Sequence, residues 1–158
     1  MSMDIKHITK APEETFKLGV RLGQKLIPGT VIALQGELGT GKTIFTKGIA
    51  KGAGIKKHEY VDSPSFVIVK EYRSKKISLY HFDLYRLKGE SDLCTIGYEE
   101  YFYSKKDISV IEWAEKAKSL LPAGHITVKL RHLGGDKREI TIEIPKISRA
   151  KQKPGGDK

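Results

Sequence analysis

The sequence has no asparagine, one cysteine and no long apolar run, and each shortage excludes a class of protein. Without asparagine it cannot carry the N-K-x-D motif that reads guanine in GTPases, and no aspartate is followed by glycine three positions later. Cys94 has no partner for an intramolecular disulfide. No stretch approaches the roughly 18 apolar residues of a membrane span. The first residues lack a signal-peptide core, so we expect a cytoplasmic protein.

Length and charge predict one compact domain with a basic tail. The chain has 158 residues and a net charge of +10. We place a single domain at residues 1–144 and a flexible tail at 145–158, where five basic residues accompany one acidic residue. The remaining basic surplus is more typical of a solvated surface than of a nucleic-acid site, although a polyanion remains a possible class of partner.

Residues 36–43 read G-E-L-G-T-G-K-T and match the phosphate-binding pattern G-x-x-x-x-G-K-[ST]. An apolar, β-prone run at 30–35 precedes them and a helical pattern at 42–51 follows. The alternative is a glycine-rich turn without a ligand. The predicted nucleotide-binding residues of this loop are Gly36, Glu37, Leu38, Gly39, Thr40, Gly41, Lys42 and Thr43.

The residue types of the loop explain how it could bind a triphosphate. Gly36 and Gly41 allow backbone N–H groups to turn around a phosphate at the positive end of the following helix. Lys42 could reach the β- and γ-phosphates, and the Thr43 hydroxyl could bind Mg²⁺. The motif therefore predicts ATP or a related nucleotide with Mg²⁺.

The order of predicted elements indicates an α/β fold. We predict a helix that starts at Pro12, an antiparallel hairpin at 66–72 and 77–83, and a fully buried parallel strand at 108–112. A helix at 114–121 and two final alternating strands follow. The inward face of the first helix is predicted as Phe16, Val20, Gly23 and Ile27. A three-layer αβα sandwich around a mixed sheet, as in P-loop NTPases, accommodates this order.

Two acidic residues close predicted strands, where ligands bind in open α/β sheets. Glu112 ends the buried strand and is the favoured metal ligand, while Asp83 could orient water or a metal-bound water. Trp113 follows Glu112 and could pack beside the site or simply in the core. His81 is interpreted as a packed or surface histidine rather than a base.

The segment at 61–66, V-D-S-P-S-F, lies where many P-loop proteins carry a loop that senses the γ-phosphate. Ser63 and Ser65 offer hydroxyl groups there, and Pro64 constrains the turn. A turn that merely leads into a strand is the alternative.

Together these motifs resemble the TsaE (YjeE) family of small bacterial P-loop ATPases. The resemblance rests on the loop at 36–43, V-D-S-P-S-F at 61–66, H-F-D-L-Y-R-L at 81–87, the segment 97–102 and I-E-W at 111–113. It covers most of residues 5–144.

The resemblance implies an ATPase needed for the threonylcarbamoyl modification of adenosine 37 in tRNA. It implies binding to a complex of the TsaD and TsaB proteins. We expect contact with tRNA to be indirect or weak, and we expect no membrane contact. By position, Thr43 and Glu112 would hold Mg²⁺ with Asp83 nearby, and Lys42, Asp83 and Glu112 would form the catalytic set. Residues 61–66 would be a switch-like segment.

Two positions depart from the family pattern. Ser65 stands where the family usually has threonine, which keeps a hydroxyl for the nucleotide. The family's late Gly-Arg pair is spread over residues 135–138 here, which makes Arg138 the candidate nucleotide contact.

Other functions share the loop but not the rest of the pattern. A small kinase needs an arginine-rich lid, and no such arginine cluster occurs in the sequence. A nucleotide-bound RNA-binding or scaffold module without turnover stays open. Arg86 is a candidate arginine finger because it follows Asp83 closely, but no arginine has an obvious finger position, so we expect slow hydrolysis without partners.

Overall fold

A seven-stranded mixed sheet with helices on both faces organises the part of the chain that the structure, a computed structural model, describes. The described residues are 2–37, 39–56, 58, 61–62 and 68–146. The strands are β1 (Ser2–Thr9), β2 (Val31–Gln35), β3 (Val69–Arg73), β4 (Ser78–Asp83), β5 (Ile108–Glu112), β6 (Ile126–His132) and β7 (Arg138–Pro145). The helices are α1 (Pro12–Lys25), α2 (Lys42–Gly52), α3 (Ser91–Thr95), α4 (Glu99–Phe102) and a 3₁₀ segment, Ala114–Leu120.

The strand order is β1-β7-β6-β2-β5-β4-β3. The four central strands, β6, β2, β5 and β4, run parallel, and antiparallel partners flank them: β7 and β1 on one side, β3 on the other. This arrangement confirms the predicted hairpin, parallel central strand and mixed α/β sheet. The carboxyl ends of β2, β4 and β5 meet at one edge of the sheet, and the loop at residues 36–43 follows β2 at this edge.

Side chains alternate between the two faces of the sheet and build two separate cores. Ile32 and Leu34 of β2 pack with helices α1 and α2, while Val31 and Ala33 of the same strand pack toward α3, α4 and the 3₁₀ segment. All five residues of β5 are buried, as expected for a central parallel strand. Alternate residues of β6 and β7 are likewise buried in the first core: Ile126, Val128, Leu130, Ile140 and Ile142.

The inward face predicted for α1 is confirmed at Gly23 and wrong at the other three residues. The buried residues of this helix are Thr15, Leu18, Gly19, Leu22 and Gly23, whereas Phe16 and Val20 are only half-buried. Ile27 lies beyond the helix end and is 44% exposed. The buried face is formed instead by Leu18 and Leu22, four residues apart, together with the glycines that contact α2.

Four glycines let α1 and α2 approach at backbone distance. Gly19 and Gly23 of α1, and Gly48 and Gly52 of α2, are each spaced four residues apart. A Cβ atom at Gly48 would lie 2.2 Å from the Phe16 carbonyl oxygen, and one at Gly23 would lie 2.3 Å from the Ile49 carbonyl oxygen. No side chain fits between the two helices at these positions.

The segment after β5 is 3₁₀-helical rather than the α-helix predicted at 114–121. It is entered through Trp113 in the left-handed conformation (φ 59°, ψ 40°) and is kinked at Ala117 (φ −131°). Both backbone angles interrupt the regular i→i−4 bonding of an α-helix. Among the described residues, no helix combines the length and apolar character that a membrane span requires.

Candidate functional site

The loop between β2 and α2 uses glycine where the backbone geometry demands it. Gly36 (φ 153°), Gly39 (φ 80°) and Gly41 (φ 99°) adopt conformations that other residues rarely tolerate. A Cβ at Gly36 would lie 2.7 Å from the Leu130 carbonyl oxygen, so β6 leaves no room for a side chain there. Gly41 directly precedes the first residue of α2, and the Thr40 hydroxyl donates to the Glu37 carbonyl oxygen at 2.8 Å.

Lys42 turns back over this loop from the first position of α2. Its Nζ donates to the carbonyl oxygens of Gly36 and, at 3.0 Å, Glu37. The side chain is buried and its Nζ lies 4.5 Å from the centroid of the Trp113 ring. Burial lowers the pKa of Lys42, and the nearby carboxylates, led by Glu112, oppose that effect. The site therefore holds a buried cation close to acidic side chains.

The register of the sheet brings the two predicted acids together. Asp83 ends β4, Glu112 ends β5, and the two are direct partners across the strands. Leu34, two residues before Gly36, is the partner of Glu112 on β2. Both acids are buried, with exposures of 9% for Asp83 and 3% for Glu112. Two carboxylates thus lie side by side at the strand ends, facing the start of α2.

A cleft of about 480 Å³ collects most of the predicted site residues. This volume falls in the range of pockets that hold small ligands, roughly 300–1,000 Å³. Its lining residues include Gly39, Gly41, Lys42, Thr43, Asp83, Arg86, Glu112, Trp113 and Arg138. Of the predicted residues, Leu38 and Ser65 lie outside the described part of the chain, as do residues 63–66 of the predicted switch-like segment.

Trp113 lines the cleft and has a left-handed backbone conformation (φ 59°, ψ 40°). Its ring packs against the Tyr85 ring in a tilted arrangement, with centroids 5.0 Å apart and an interplanar angle of 48°. The same ring faces the Lys42 ammonium group, which is a favourable cation–π arrangement. Lys116 braces this corner by donating to the carbonyl oxygens of Tyr85 and, at 3.2 Å, Leu87.

Arg138 reaches the loop from the first residue of β7. Its Nε donates to the Thr40 carbonyl oxygen and its Nη2 to the Gly39 carbonyl oxygen, both at 3.1 Å. Its Nη1 donates to Gly135 at 2.8 Å and to Lys137 at 3.1 Å. The guanidinium group therefore joins the loop before β7 to the loop at residues 36–43, a contact that no local sequence pattern reveals.

His81 is a site residue whose role the sequence reasoning missed. It is completely buried, which agrees with the packed alternative, and its Nε2 lies 2.6 Å from Glu112 Oε2. The H-x-D pattern at residues 81–83 was the available signal, because residues two apart share one face of a strand. The partner, however, belongs to a strand about 30 residues further along the chain.

The residues present fit a magnesium–triphosphate group. Mg²⁺ commonly takes one or two protein carboxylates and completes its octahedron with water and substrate phosphates. Oxygen ligands for Mg²⁺ are available from the Thr43 hydroxyl and from the carboxylates of Asp83 and Glu112. The glycines of the loop leave open the space that a Cβ would fill. Among the described residues there is no group of three or more acidic, histidine or cysteine side chains that could hold a metal ion.

The class of protein follows from these features. The chain is an α/β protein with a mixed sheet, and its glycine-rich loop, basic residue and paired acids converge at the carboxyl ends of the parallel strands. This is the architecture in which loop-bound ligands sit outside the strand ends.

Comparison with known proteins identifies the family. Residues 9–140 match the family model described as "Threonylcarbamoyl adenosine biosynthesis protein TsaE". The chain is 40% identical over 138 residues to the Bacillus subtilis tRNA threonylcarbamoyladenosine biosynthesis protein TsaE, covering 87% of this chain and 84% of that protein. It is 39% identical over 135 residues to the Treponema pallidum protein of the same name, covering 85% and 97%. The chain belongs to the TsaE family.

A solved structure supports the same assignment. The crystal structure of Bacillus subtilis YdiB superposes with a TM-score of 0.74 at 34% identity. The match covers 92% of this chain and 88% of YdiB. The predicted family and fold class are therefore confirmed.

Proposed function

We propose that this chain is a Mg²⁺-dependent ATP hydrolase that supports biosynthesis of threonylcarbamoyladenosine in tRNA. The observation that carries the proposal is the convergence of Lys42, Thr43, Asp83 and Glu112 on one cleft at the end of a glycine-rich loop. Relatives at 39–40% identity bear the name of that biosynthetic process. Three distant parts of the chain supply the four side chains, which favours a reaction site over an incidental turn.

The loop is suited to phosphate because it gathers partial and full positive charge. The 11-residue helix α2 begins at Lys42 and Thr43, which line the cleft, and the first N–H groups of a helix have no partner within it. Lys42 now donates to two carbonyl oxygens of its own loop. On binding, it would exchange these neutral acceptors for phosphate oxygens, which are stronger charged acceptors. Lys42 would thereby change partners with little movement of α2.

The acids and Thr43 complete the proposed chemistry. Mg²⁺, when bound, would neutralise charge on the β- and γ-phosphates. Thr43 and Glu112 would hold it, with Asp83 on the adjacent strand orienting the attacking water or a metal-bound water. Asp83 Oδ1 accepts a hydrogen bond from the Tyr85 amide at 2.9 Å, which fixes the direction of its carboxylate.

Hydrolysis by the isolated protein is expected to be slow. A free arginine aimed at the γ-phosphate accelerates related reactions by roughly 10³–10⁵. Arg138 already donates to four backbone carbonyl oxygens, and Arg86 lies at the exposed rim of the cleft. We therefore propose that a partner, a TsaD–TsaB-like complex, completes the site, and that contact with tRNA is indirect or weak.

The first test is nucleotide binding, followed through Trp113 fluorescence and calorimetry. Wild-type protein is titrated with ATP, ADP and GTP, each in Mg²⁺ and in EDTA. Lys42→Ala is compared with Lys118→Ala, which removes the same charge from an exposed position. We expect ATP to bind with Mg²⁺ dependence, Lys42→Ala to weaken binding at least tenfold, a loss on the order of 1.4 kcal/mol, and Lys118→Ala to match wild type.

The second test is phosphate release with and without purified TsaD and TsaB. Partner-stimulated hydrolysis that is lost in Lys42→Ala and in Glu112→Gln supports the proposal. Turnover of tens per second by the isolated chain would contradict partner control, and GTP preference would contradict an ATPase. If Lys42→Ala abolishes hydrolysis but still sustains modification of tRNA, the chain acts as a scaffold instead.

A further inference from the structure

His81 occupies a central position on β4 directly beneath the candidate metal ligands. Successive residues of a strand point to opposite faces, so His81 and Asp83 share the face that packs toward α1 and α2. His81 is the partner of Val110 on β5, two residues before Glu112. The imidazole can thus reach diagonally from one strand to the side chain that ends the next.

The contact with Glu112 is short and completely buried. His81 Nε2 lies 2.6 Å from Glu112 Oε2, and the side chains are 0% and 4% exposed. An ionised carboxylate only accepts hydrogen bonds, so Nε2 is assigned as the donor. The other oxygen, Oε1, makes no hydrogen bond to a described residue, and Glu112 lines the cleft. The hydrogen bond from His81 therefore fixes Glu112 Oε2, while the Glu112 side chain lines the cleft.

The second ring nitrogen of His81 has no partner within the described residues. Its Nδ1 is buried and neither donates nor accepts a hydrogen bond among the described residues. Buried polar atoms are usually paired, and an unpaired one calls for a functional or structural explanation. A leucine or phenylalanine would fill the same apolar surroundings without this cost. The presence of a histidine here is consequently explained by the hydrogen bond that its Nε2 donates to Glu112.

We infer that His81 is a positioning residue that holds the Glu112 carboxylate in the orientation needed to bind Mg²⁺ with a nucleotide. This inference rests on the proposed function. The hydrogen bond selects one Glu112 rotamer before the ligand arrives, so less side-chain freedom is lost on binding. Outer partners of metal ligands act in this way, and their removal typically lowers metal affinity about 10- to 100-fold. His81 itself does not line the cleft.

The test separates positioning from general packing. Nucleotide affinity is measured by calorimetry in Mg²⁺ and in EDTA, and the ratio of the two dissociation constants gives the magnesium-dependent gain. The variants are His81→Leu, which cannot donate, and His81→Gln, whose amide can replace the Nε2 donor. Leu79→Ala is the matched control, because Leu79 is equally buried on the same face of β4.

We expect His81→Leu to lower the magnesium-dependent gain about tenfold while nucleotide affinity in EDTA stays near wild type. His81→Gln should recover most of that gain. Leu79→Ala should lower the melting temperature without changing the ratio. In a Glu112→Gln background, His81→Leu should produce no further loss, because the interaction it supports is already gone.

A measurement on the wild-type chain avoids dependence on variant folding. Nitrogen-15 NMR of the imidazole should show hydrogen on Nε2 and none on Nδ1, with a shift on addition of ATP and Mg²⁺ that ATP in EDTA does not reproduce. A ratio unchanged in His81→Leu, or hydrogen on Nδ1 alone, overturns the positioning role while leaving the ATPase proposal intact. Absence of any nucleotide binding by wild type overturns both.

Discussion

Replacing Gly48 by alanine should destabilise the protein, although alanine is the better helix former. In an exposed helix the change would stabilise by roughly 1 kcal/mol. Here an added Cβ would lie 2.2 Å from the Phe16 carbonyl oxygen and 3.0 Å from the Val20 nitrogen. Ordinary contact begins at 3.4 Å, so the obstruction is severe. Local propensity and tertiary packing thus predict opposite signs for the same substitution.

The magnitude follows from what must move. The obstructing atoms belong to the backbone of α1, which cannot step aside as a flexible side chain can. Overpacking of this kind costs typically 1–3 kcal/mol, and we take the upper end. Subtracting the propensity gain leaves a loss of about 2 kcal/mol. For a chain of this size the melting temperature should fall by roughly 4–8 °C.

Thermal and urea unfolding followed by circular dichroism measure this loss. Gly89→Ala is the matched control, because a Cβ at Gly89 meets no atom within 4 Å and its φ is not positive. That variant should lie within about 1 kcal/mol of wild type, on the stabilising side. A Gly48→Ala protein that melts at or above the wild-type temperature would refute the packing argument.

A double substitution tests the same contact from the other helix. A Cβ at Gly19 would lie 2.4 Å from the Phe45 carbonyl oxygen and 3.1 Å from the Gly48 Cα. Either substitution alone should force α1 and α2 apart. Combining Gly19→Ala with Gly48→Ala should cost less than the sum of the single losses, because the helices separate only once. Additive losses would show that the two sites do not share one contact.

Two further predictions concern the loop. Arg138→Ala removes the guanidinium group from the loop carbonyl oxygens and should weaken ATP binding about tenfold by calorimetry, or roughly 1.4 kcal/mol. The control Arg131→Ala, which breaks only the ion pair with Glu139, should leave ATP affinity unchanged. Equal affinities of the two variants would contradict the role of Arg138 in holding the loop. Gly36→Ala places a Cβ 2.7 Å from the Leu130 carbonyl oxygen at a φ of 153°, so binding should fall by a similar factor; unchanged affinity would show that the loop geometry is dispensable.

Much of the fold could be predicted because its signals are local. The run at 30–35, the loop at 36–43 and the helix after it are contiguous, so composition and spacing identify them together. Asp83 and Glu112 could be named as candidates in advance because each ends a predicted strand, whereas their direct pairing is shown by the register of β4 and β5. The α1 face was predicted correctly only at Gly23, because the close backbone contact between the glycines of α1 and α2 gives no apolar signal in the sequence. The 3₁₀ form of residues 114–120 was missed because no local pattern indicates the left-handed backbone of Trp113.

The sequence by itself determined the order of strands and helices, the glycine-rich loop and the two acids that end β4 and β5, because each depends on residues close together in the chain. Only the tertiary structure decided that His81 bonds to Glu112, that Arg138 holds the loop, and that α1 and α2 meet through glycine. These contacts join residues about 30 to 100 positions apart. Their partners are set by strand order and helix approach, which no local spacing encodes.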